Sequence, residues 1–322
     1  MPEITHRFIE TNGIRMHIAE QGTGPVVLLC HGFPESWYSW RHQIGALAAA
    51  GYHVVAPDMR GYGQSGAPEA IDQYTMLHLV GDMVGLLDAL GAATAVIAGH
   101  DWGGPVAWYS GLLRPDRFPA VIALSTPYRP RPRLRPTSVM PQTDDALFYQ
   151  LYFQTPGVAE ADLEQDITAA IRGLLHRLSG EAPDSLGTFA MVPRTGGLAA
   201  DNRKSSMAPL PSWLSEADLA FYVSEFSRTG FRGGLNWYRN IDRNWELMAP
   251  FAGALVKVPA LYIAGERDAV LKFPGAREMV ANLKACVPAL RDTVMLPNCG
   301  HWTQQERPEA VNAAMIGFLR GL

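Results

Sequence analysis

Hydrophobic and polar positions follow two rhythms along this chain. Near the start, Ile14, Met16 and Ile18 alternate with Arg15 and His17, the two-residue period of a half-buried strand. The preceding Asn12-Gly13 pair tolerates the positive φ of a tight turn, so an antiparallel edge hairpin is expected. Short runs that are apolar almost throughout follow at 26–30, 53–56, 95–98, 121–124 and 260–264. Such runs read as strands covered on both faces, the habit of a parallel sheet. Between them, 74–90 carries Leu77, Val80, Val84, Leu87 and Leu90 at helical spacing, and 105–113 reads as a second helix. Strand and helix in alternation predict a wound, mostly parallel α/β sheet flanked by helices.

The rhythm stops near Tyr128 and resumes near Lys257. The stretch opens with Tyr128-Arg129-Pro130-Arg131-Pro132-Arg133-Leu134-Arg135-Pro136, whose prolines deny it a helix or a central strand. It reads as a solvated linker. Its arginines lack the interleaved aromatic residues of a nucleic-acid surface. Beyond it, 159–178 and 215–228 read as helices, the second opened by Ser215 with Asp218 three residues on. The organisation expected is a core formed by 1–129 and 251–322, with 130–250 as an inserted helical cap.

Composition narrows the function classes. The 322 residues are 48% hydrophobic and 18% charged, as in a folded globular chain rather than a disordered or fibrous one. A formal charge of −4 gives no general attraction for nucleic acid or anionic lipid, so neither is expected as a partner. The longest stretch without Asp, Glu, Lys or Arg, 42–57, is too short for a membrane span. The start of the chain lacks the basic and apolar regions of a secretory signal. Cys30, Cys286 and Cys299 are odd in number and lack metal-ligand spacing. A reducing cytoplasm and no metal are expected.

The candidate chemistry begins at Gly99-His100-Asp101-Trp102-Gly103-Gly104, directly after one apolar run and directly before a helical one. This is the strand–turn–helix setting of a nucleophile elbow, with aspartate rather than serine at its tip. Asp268 follows the run 260–264, and His301 lies in Cys299-Gly300-His301-Trp302. Nucleophile, acid and histidine in that order match the α/β-hydrolase arrangement. A turn at His31-Gly32-Phe33-Pro34 follows another strand, and its Phe33 N–H paired with that of Trp102 suits an oxyanion hole. His31 reads as a residue that bonds the loop. The run Asp58-Met59-Arg60-Gly61-Tyr62-Gly63-Gln64-Ser65-Gly66 ends in an imitation of a serine elbow, but no strand leads directly into it.

An aspartate nucleophile suits attack on saturated carbon, because the resulting ester has a carbonyl that water can attack, whereas a serine would leave a stable ether. Epoxides and haloalkanes are the two obvious substrate classes. An epoxide leaves as an alkoxide and needs a proton donor, for which phenols are suited. The insertion contains Tyr149, Tyr152, Tyr222 and Tyr238.

The His-Gly-Phe-Pro turn, the Gly-His-Asp-Trp-Gly elbow, the tyrosine segments 148–157 and 230–240 and the Cys-Gly-His-Trp loop together resemble the epoxide hydrolases of the α/β-hydrolase superfamily, including the hydrolase domain of mammalian soluble epoxide hydrolase and its bacterial relatives. The resemblance covers nearly the whole chain. It implies hydrolysis of epoxides to vicinal diols without a cofactor, with Asp101 as nucleophile, His301 as base, Asp268 as its partner and Tyr149 and Tyr238 as ring-opening acids. Phe33, Trp102, Tyr149 and Tyr238 are expected to touch the substrate. Tyr149 is preferred to Tyr152 because in the family pattern the acid precedes the Gln-Leu-Tyr-Phe-Gln run; Tyr152 is expected to pack in the cap. The expected partners are the epoxide and water. A homodimer is left open, without the mammalian N-terminal phosphatase domain, for which no room is expected. Three rival readings fit the residues less well. A haloalkane or haloacid dehalogenase shares the aspartate elbow and the Trp that follows it, but Phe33, where haloalkane dehalogenases place an amide, and the two cap tyrosines stand against it. A His-Asp metallohydrolase would be all-helical, and a non-catalytic receptor would have lost part of the catalytic set.

Overall fold

A computed structural model describes residues 3–183 and 190–322. Among them, strands β1 (Thr5–Thr11), β2 (Ile14–Gln21), β3 (Val26–Cys30), β4 (His53–Pro57), β5 (Ala95–His100) and β6 (Ala120–Leu124) precede the insertion. Strands β7 (Ala146–Phe148) and β8 (Met191–Pro193) pair within it, and β9 (Ala260–Gly265) and β10 (Leu290–Leu296) follow. The main sheet runs β1-β2-β4-β3-β5-β6-β9-β10. Its β1–β2 and β2–β4 pairs are antiparallel and every other pair is parallel. The expected hairpin turns at Asn12-Gly13, both at positive φ. β10 is an addition to the strands expected from apolar runs, since its sequence lacks a continuous one. It pairs only with β9 at the sheet edge, where Arg291 and Asp292 stay exposed, and an edge tolerates such residues.

Alternation along the central strands divides the core. Leu28, Ile97, Val121 and Tyr262 point to one face, where helices α2 (Met76–Leu90) and α3 (Gly103–Leu113) cover them, while Val27, Ala98, Ile122 and Ile263 point to the other, beneath α1 (Arg41–Ala49). Burying each large apolar side chain contributes roughly 1.5–3 kcal/mol, which is why these runs are apolar almost throughout. Helix α2 begins two residues later than predicted, because Thr75 caps it and residues 71–74 form a tighter turn.

The insertion carries α4 (Tyr149–Tyr152), α5 (Val158–Leu163), α6 (Ile167–Arg177), α7 (Ala199–Ser206), α8 (Glu216–Thr229), α9 (Arg232–Arg239) and α10 (Ile241–Leu247). The single helix predicted over 159–178 is two. Asp166 leaves helical geometry and its carboxylate accepts the Ala169 N–H at 2.9 Å, starting α6 afresh. Glu164 in the break accepts the Phe231 N–H at 3.0 Å, which ties α5 to the start of α9. Ser215 and Asp218 cap α8 reciprocally, as expected. The chain finishes with α11 (Ala276–Ala281), α12 (Thr303–Glu306) and α13 (Pro308–Arg320), the last beside α1. Among the described residues no helix is long and apolar enough to cross a membrane.

Candidate active site

Phe33 follows β3, Asp101 follows β5, Asp268 follows β9 and His301 follows β10. All four therefore stand at the carboxyl edge of the parallel strands, where loops converge and open α/β sheets bind their ligands. The elbow is sharp. Asp101 has a φ of 51°, a conformation seldom adopted by non-glycine residues, and α3 starts two residues later. A side chain at Gly103 would collide with the Cys30 carbonyl, and one at Gly32 would collide with Asp101 itself. Glycine at 32 is what lets the turn after β3 lie against the nucleophile candidate.

The two oxygens of Asp101 face different partners. Oδ1 accepts the Phe33 N–H at 2.8 Å, while Oδ2 lies 3.5 Å from His301 Nε2. On its other side, the His301 ring places Nδ1 3.1 Å from Asp268 Oδ1, and that same oxygen accepts the Val270 N–H at 2.9 Å. The His301 side chain is 4% exposed and that of Asp268 is fully buried, so these charges act across little water and interact strongly. Burial alone would lower the His301 pKa, but Asp268 and Asp101 outweigh it and hold the imidazole well above its ordinary value. Burial alone would raise both carboxyls; His301 overcomes it at each, aided by the Phe33 N–H at Asp101, and both lie below the usual carboxylate range.

Two cavities meet at this point. The larger, about 280 Å3, reaches Trp102, Met140, Ile241 and Met248; the smaller, about 40 Å3, is bounded by Phe33, Leu174, Leu178 and His301. Both touch Asp101 and Tyr149, and the smaller also touches Tyr238. The tyrosine rings lie 5.9 Å apart, and that of Tyr238 packs edge-on against Trp102 at 5.1 Å and Phe33 at 5.6 Å. Burial, reinforced by Asp101, pushes both phenols above their ordinary pKa, which keeps them protonated as donors. Tyr152 turns away and donates to Asp162 at 3.0 Å.

The remaining motif residues are structural. The ring of His31 accepts the Met59 N–H through Nε2 at 3.0 Å. Ser65 of the imitation elbow accepts the His17 N–H at 2.9 Å and donates to the Asp58 carbonyl. The arginine linker is largely exposed, as expected, and two of its residues, Arg129 and Arg131, also line the larger cavity.

Two groups around the site had no sequence signal. Glu35 is buried beneath the turn after β3 and accepts the Gly32 N–H at 3.2 Å; its Oε2 lies 2.7 Å from His100 Nδ1, whose other ring nitrogen bonds the His301 carbonyl at 2.8 Å. Glu306, in α12, accepts N–H groups from Gly180 of the insertion at 2.8 Å, Gly300 at 2.9 Å and Trp302 at 3.1 Å. The His301 N–H donates to the Leu178 carbonyl at 2.8 Å. The insertion is thus sewn to the histidine loop by a carboxylate that, among the described residues, has no ion-pair partner.

Changing Glu306 to Gln would turn an amide N–H toward groups that only donate, and an unsatisfied buried group costs about 1–3 kcal/mol. The variant is expected to be less stable than the parent by about that amount, read as a lower midpoint of thermal or denaturant unfolding; an unchanged midpoint would refute it.

The chain matches the model of the alpha/beta hydrolase fold family over residues 25–308. It is 47% identical over 324 aligned residues to epoxide hydrolase A of Mycobacterium tuberculosis, covering 99% of this chain and 98% of that protein. Mouse bifunctional epoxide hydrolase 2 is 41% identical; 99% of this chain aligns with 56% of that longer protein. Among solved structures, an epoxide hydrolase from an endophytic Streptomyces superposes with a TM-score of 0.93 at 47% identity, covering 99% of this chain and 96% of that one.

Proposed function

This chain belongs to the α/β-hydrolase family and is one of its epoxide hydrolases, and from that premise we propose that it forms vicinal diols through a covalent ester on Asp101. In the first step Asp101 Oδ2 attacks a ring carbon, the carbon–oxygen bond of the epoxide breaks, and the departing alkoxide takes a proton from Tyr149 or Tyr238. In the second, His301 removes a proton from water, the oxygen attacks Cγ of Asp101, and negative charge collects on Oδ1 against the Phe33 and Trp102 N–H groups. Collapse breaks the ester bond, the diol leaves with Oδ2, the proton on His301 goes to the leaving alkoxide, and the proton left on the new Asp101 carboxyl returns to the phenolate.

The observation that carries this reading is the division of labour within one carboxylate: Oδ1 is held by a backbone N–H at 2.8 Å, and Oδ2 faces the cavity's histidine at 3.5 Å. The electrostatics suit the order of steps. In the free enzyme two carboxylates hold the proton on His301; alkylation makes Asp101 a neutral ester, and with one carboxylate gone the imidazole releases its proton and serves as base. In this reading 130–250 acts as the cap over the core of 1–129 and 251–322. A cytoplasmic setting, which keeps the free thiols of Cys30, Cys286 and Cys299 reduced, belongs to the same proposal.

A single turnover in heavy-oxygen water tests the mechanism. The label is expected in the Asp101 carboxylate, read by peptide mass, while the first diol released carries unlabelled enzyme oxygen. Label in that diol with none in Asp101 would mean direct attack of water on the epoxide.

A further inference from the structure

Two surface segments that the proposed reaction does not use border the larger cavity. One is the linker after β6: from 128 to 143 it holds four arginines and no acidic residue, and Leu134 and Val139 stand 58% and 57% exposed. The other is 249–255, Ala-Pro-Phe-Ala-Gly-Ala-Leu, which carries no charge and exposes Phe251 and Leu255. The two are joined. Tyr128 donates to the Ala254 carbonyl at 3.0 Å, Trp245 donates to the Pro132 carbonyl at 2.8 Å, and Arg131 Nε donates to the Trp245 carbonyl at 2.7 Å. Arg129, Arg131, Pro132 and Met248 line the cavity itself, so the joined segments lie along its rim. The acids of α10 are already engaged, Asp242 by Arg135 at 2.8 Å and Glu246 by Arg243 at 3.1 Å. Among the described residues Arg129, Arg131 and Arg133 have no ion-pair partner.

Exposed apolar side chains set among unpaired cations are the two parts of an interfacial lipid-binding surface: the apolar groups enter the boundary between headgroups and acyl chains, and the cations meet anionic headgroups. We propose that this face docks on an anionic lipid bilayer, with the rim of the larger cavity turned toward the lipid. Charge decides the occupant. A second copy of the chain, paired about a two-fold axis, would present the same patch and set its arginines against their counterparts, whereas an anionic bilayer supplies the opposite charge. The net charge of −4 opposes approach from a distance, but at physiological salt such fields are screened beyond about 8 Å, so the local cations prevail at contact. Overall composition gives no sign of this surface because it averages the patch with the acidic remainder. Docking fits the cytoplasmic setting proposed above, since the cytoplasmic leaflet carries anionic lipids, and it rests on no step of the proposed mechanism.

The test is flotation of the full chain with vesicles of phosphatidylcholine, alone or mixed with phosphatidylserine, at low and high salt. The parental chain is expected to float with the mixed vesicles at low salt and to partition about tenfold less onto phosphatidylcholine alone or at high salt. Leu134→Ser/Phe251→Ser should weaken binding by about tenfold or more, and Arg133→Gln by about fivefold. These side chains are exposed and outside the cavity lining, so turnover of a water-soluble epoxide should stay at the parental value, which separates lost docking from a lost fold. No binding to either vesicle, equal binding to both, or binding that the Leu134→Ser/Phe251→Ser variant retains in full overturns the proposal. A parental dimer in light scattering that this variant turns into a monomer also overturns it, and makes the patch an interface between copies. Vesicle binding by a chain that does not form the Asp101 ester would support docking and overturn the mechanism alone.

Discussion

Replacing His301 by Gln is expected to leave the enzyme stalled as its ester. Glutamine fills much of the same space but cannot take a proton from water, and general-base catalysis is worth about 10²- to 10⁴-fold. Alkylation needs no base, so it should proceed and a stoichiometric adduct of enzyme and opened epoxide should appear in the intact mass. A variant that turns over normally without an adduct would refute the assignment. The pH dependence has a definite sign. Only neutral imidazole accepts a proton, so in the parental enzyme ester hydrolysis should fall as pH is lowered through the pKa that His301 has in the ester. In the proposed mechanism ring opening requires ionised Asp101, whose pKa is held below the usual carboxylate range, and it should therefore persist to lower pH than hydrolysis. Asp268→Asn should slow the hydrolytic step less than His301→Gln, since the carboxylate at 3.1 Å orients the ring and supports its charge without meeting the substrate.

The second large effect is expected from Tyr149 and Tyr238 together. Their rings lie 5.9 Å apart over Asp101, and their phenols stay protonated, so either one can donate to the opening oxygen. Each single change to Phe should slow alkylation only moderately, because the remaining phenol still donates. The double change removes both donors and should cost about 10²- to 10⁴-fold in alkylation. Hydrolysis of an ester once formed should change little, since that step attacks a carbonyl and does not open the ring. Tyr152→Phe is the control, because its hydroxyl is committed to Asp162 at 3.0 Å. A double variant that opens epoxides at the parental rate in pre-steady-state measurements, or damage caused by Tyr152→Phe instead, would move the acid role elsewhere.

The elements that the sequence made legible are those set by near neighbours. The apolar runs at 26–30 and 95–98 became β3 and β5, the Asn12-Gly13 turn closed the first hairpin, and Ser215 with Asp218 capped α8. The elbow was legible for the same reason: a strand, a glycine-flanked Asp101 and a helix lie within a few residues. Where the local signal was weak, the reading failed. Asp166 breaks the pattern over 159–178 by a cap that competes with helix continuation, and β10 is polar enough to escape notice because it lies at the sheet edge, where Arg291 and Asp292 stay exposed.

What the chain alone determined is therefore the alternation of strand and helix, the placing of Asp101, Asp268 and His301 on loops after strands, and a tyrosine-bearing insertion. Each follows from backbone preference and hydrophobic period over a short span. The tertiary structure decided what depends on residues far apart in sequence. It brought Tyr149 and Tyr238 together over Asp101, and it pointed the two oxygens of that carboxylate at different partners. It also buried Glu35 against His100, sewed the insertion to the histidine loop through Glu306, and turned Arg129 and Arg131 toward the cavity. None of these has a period or a turn signature, because a buried carboxylate or a cavity-facing arginine is defined only by the chain that folds around it.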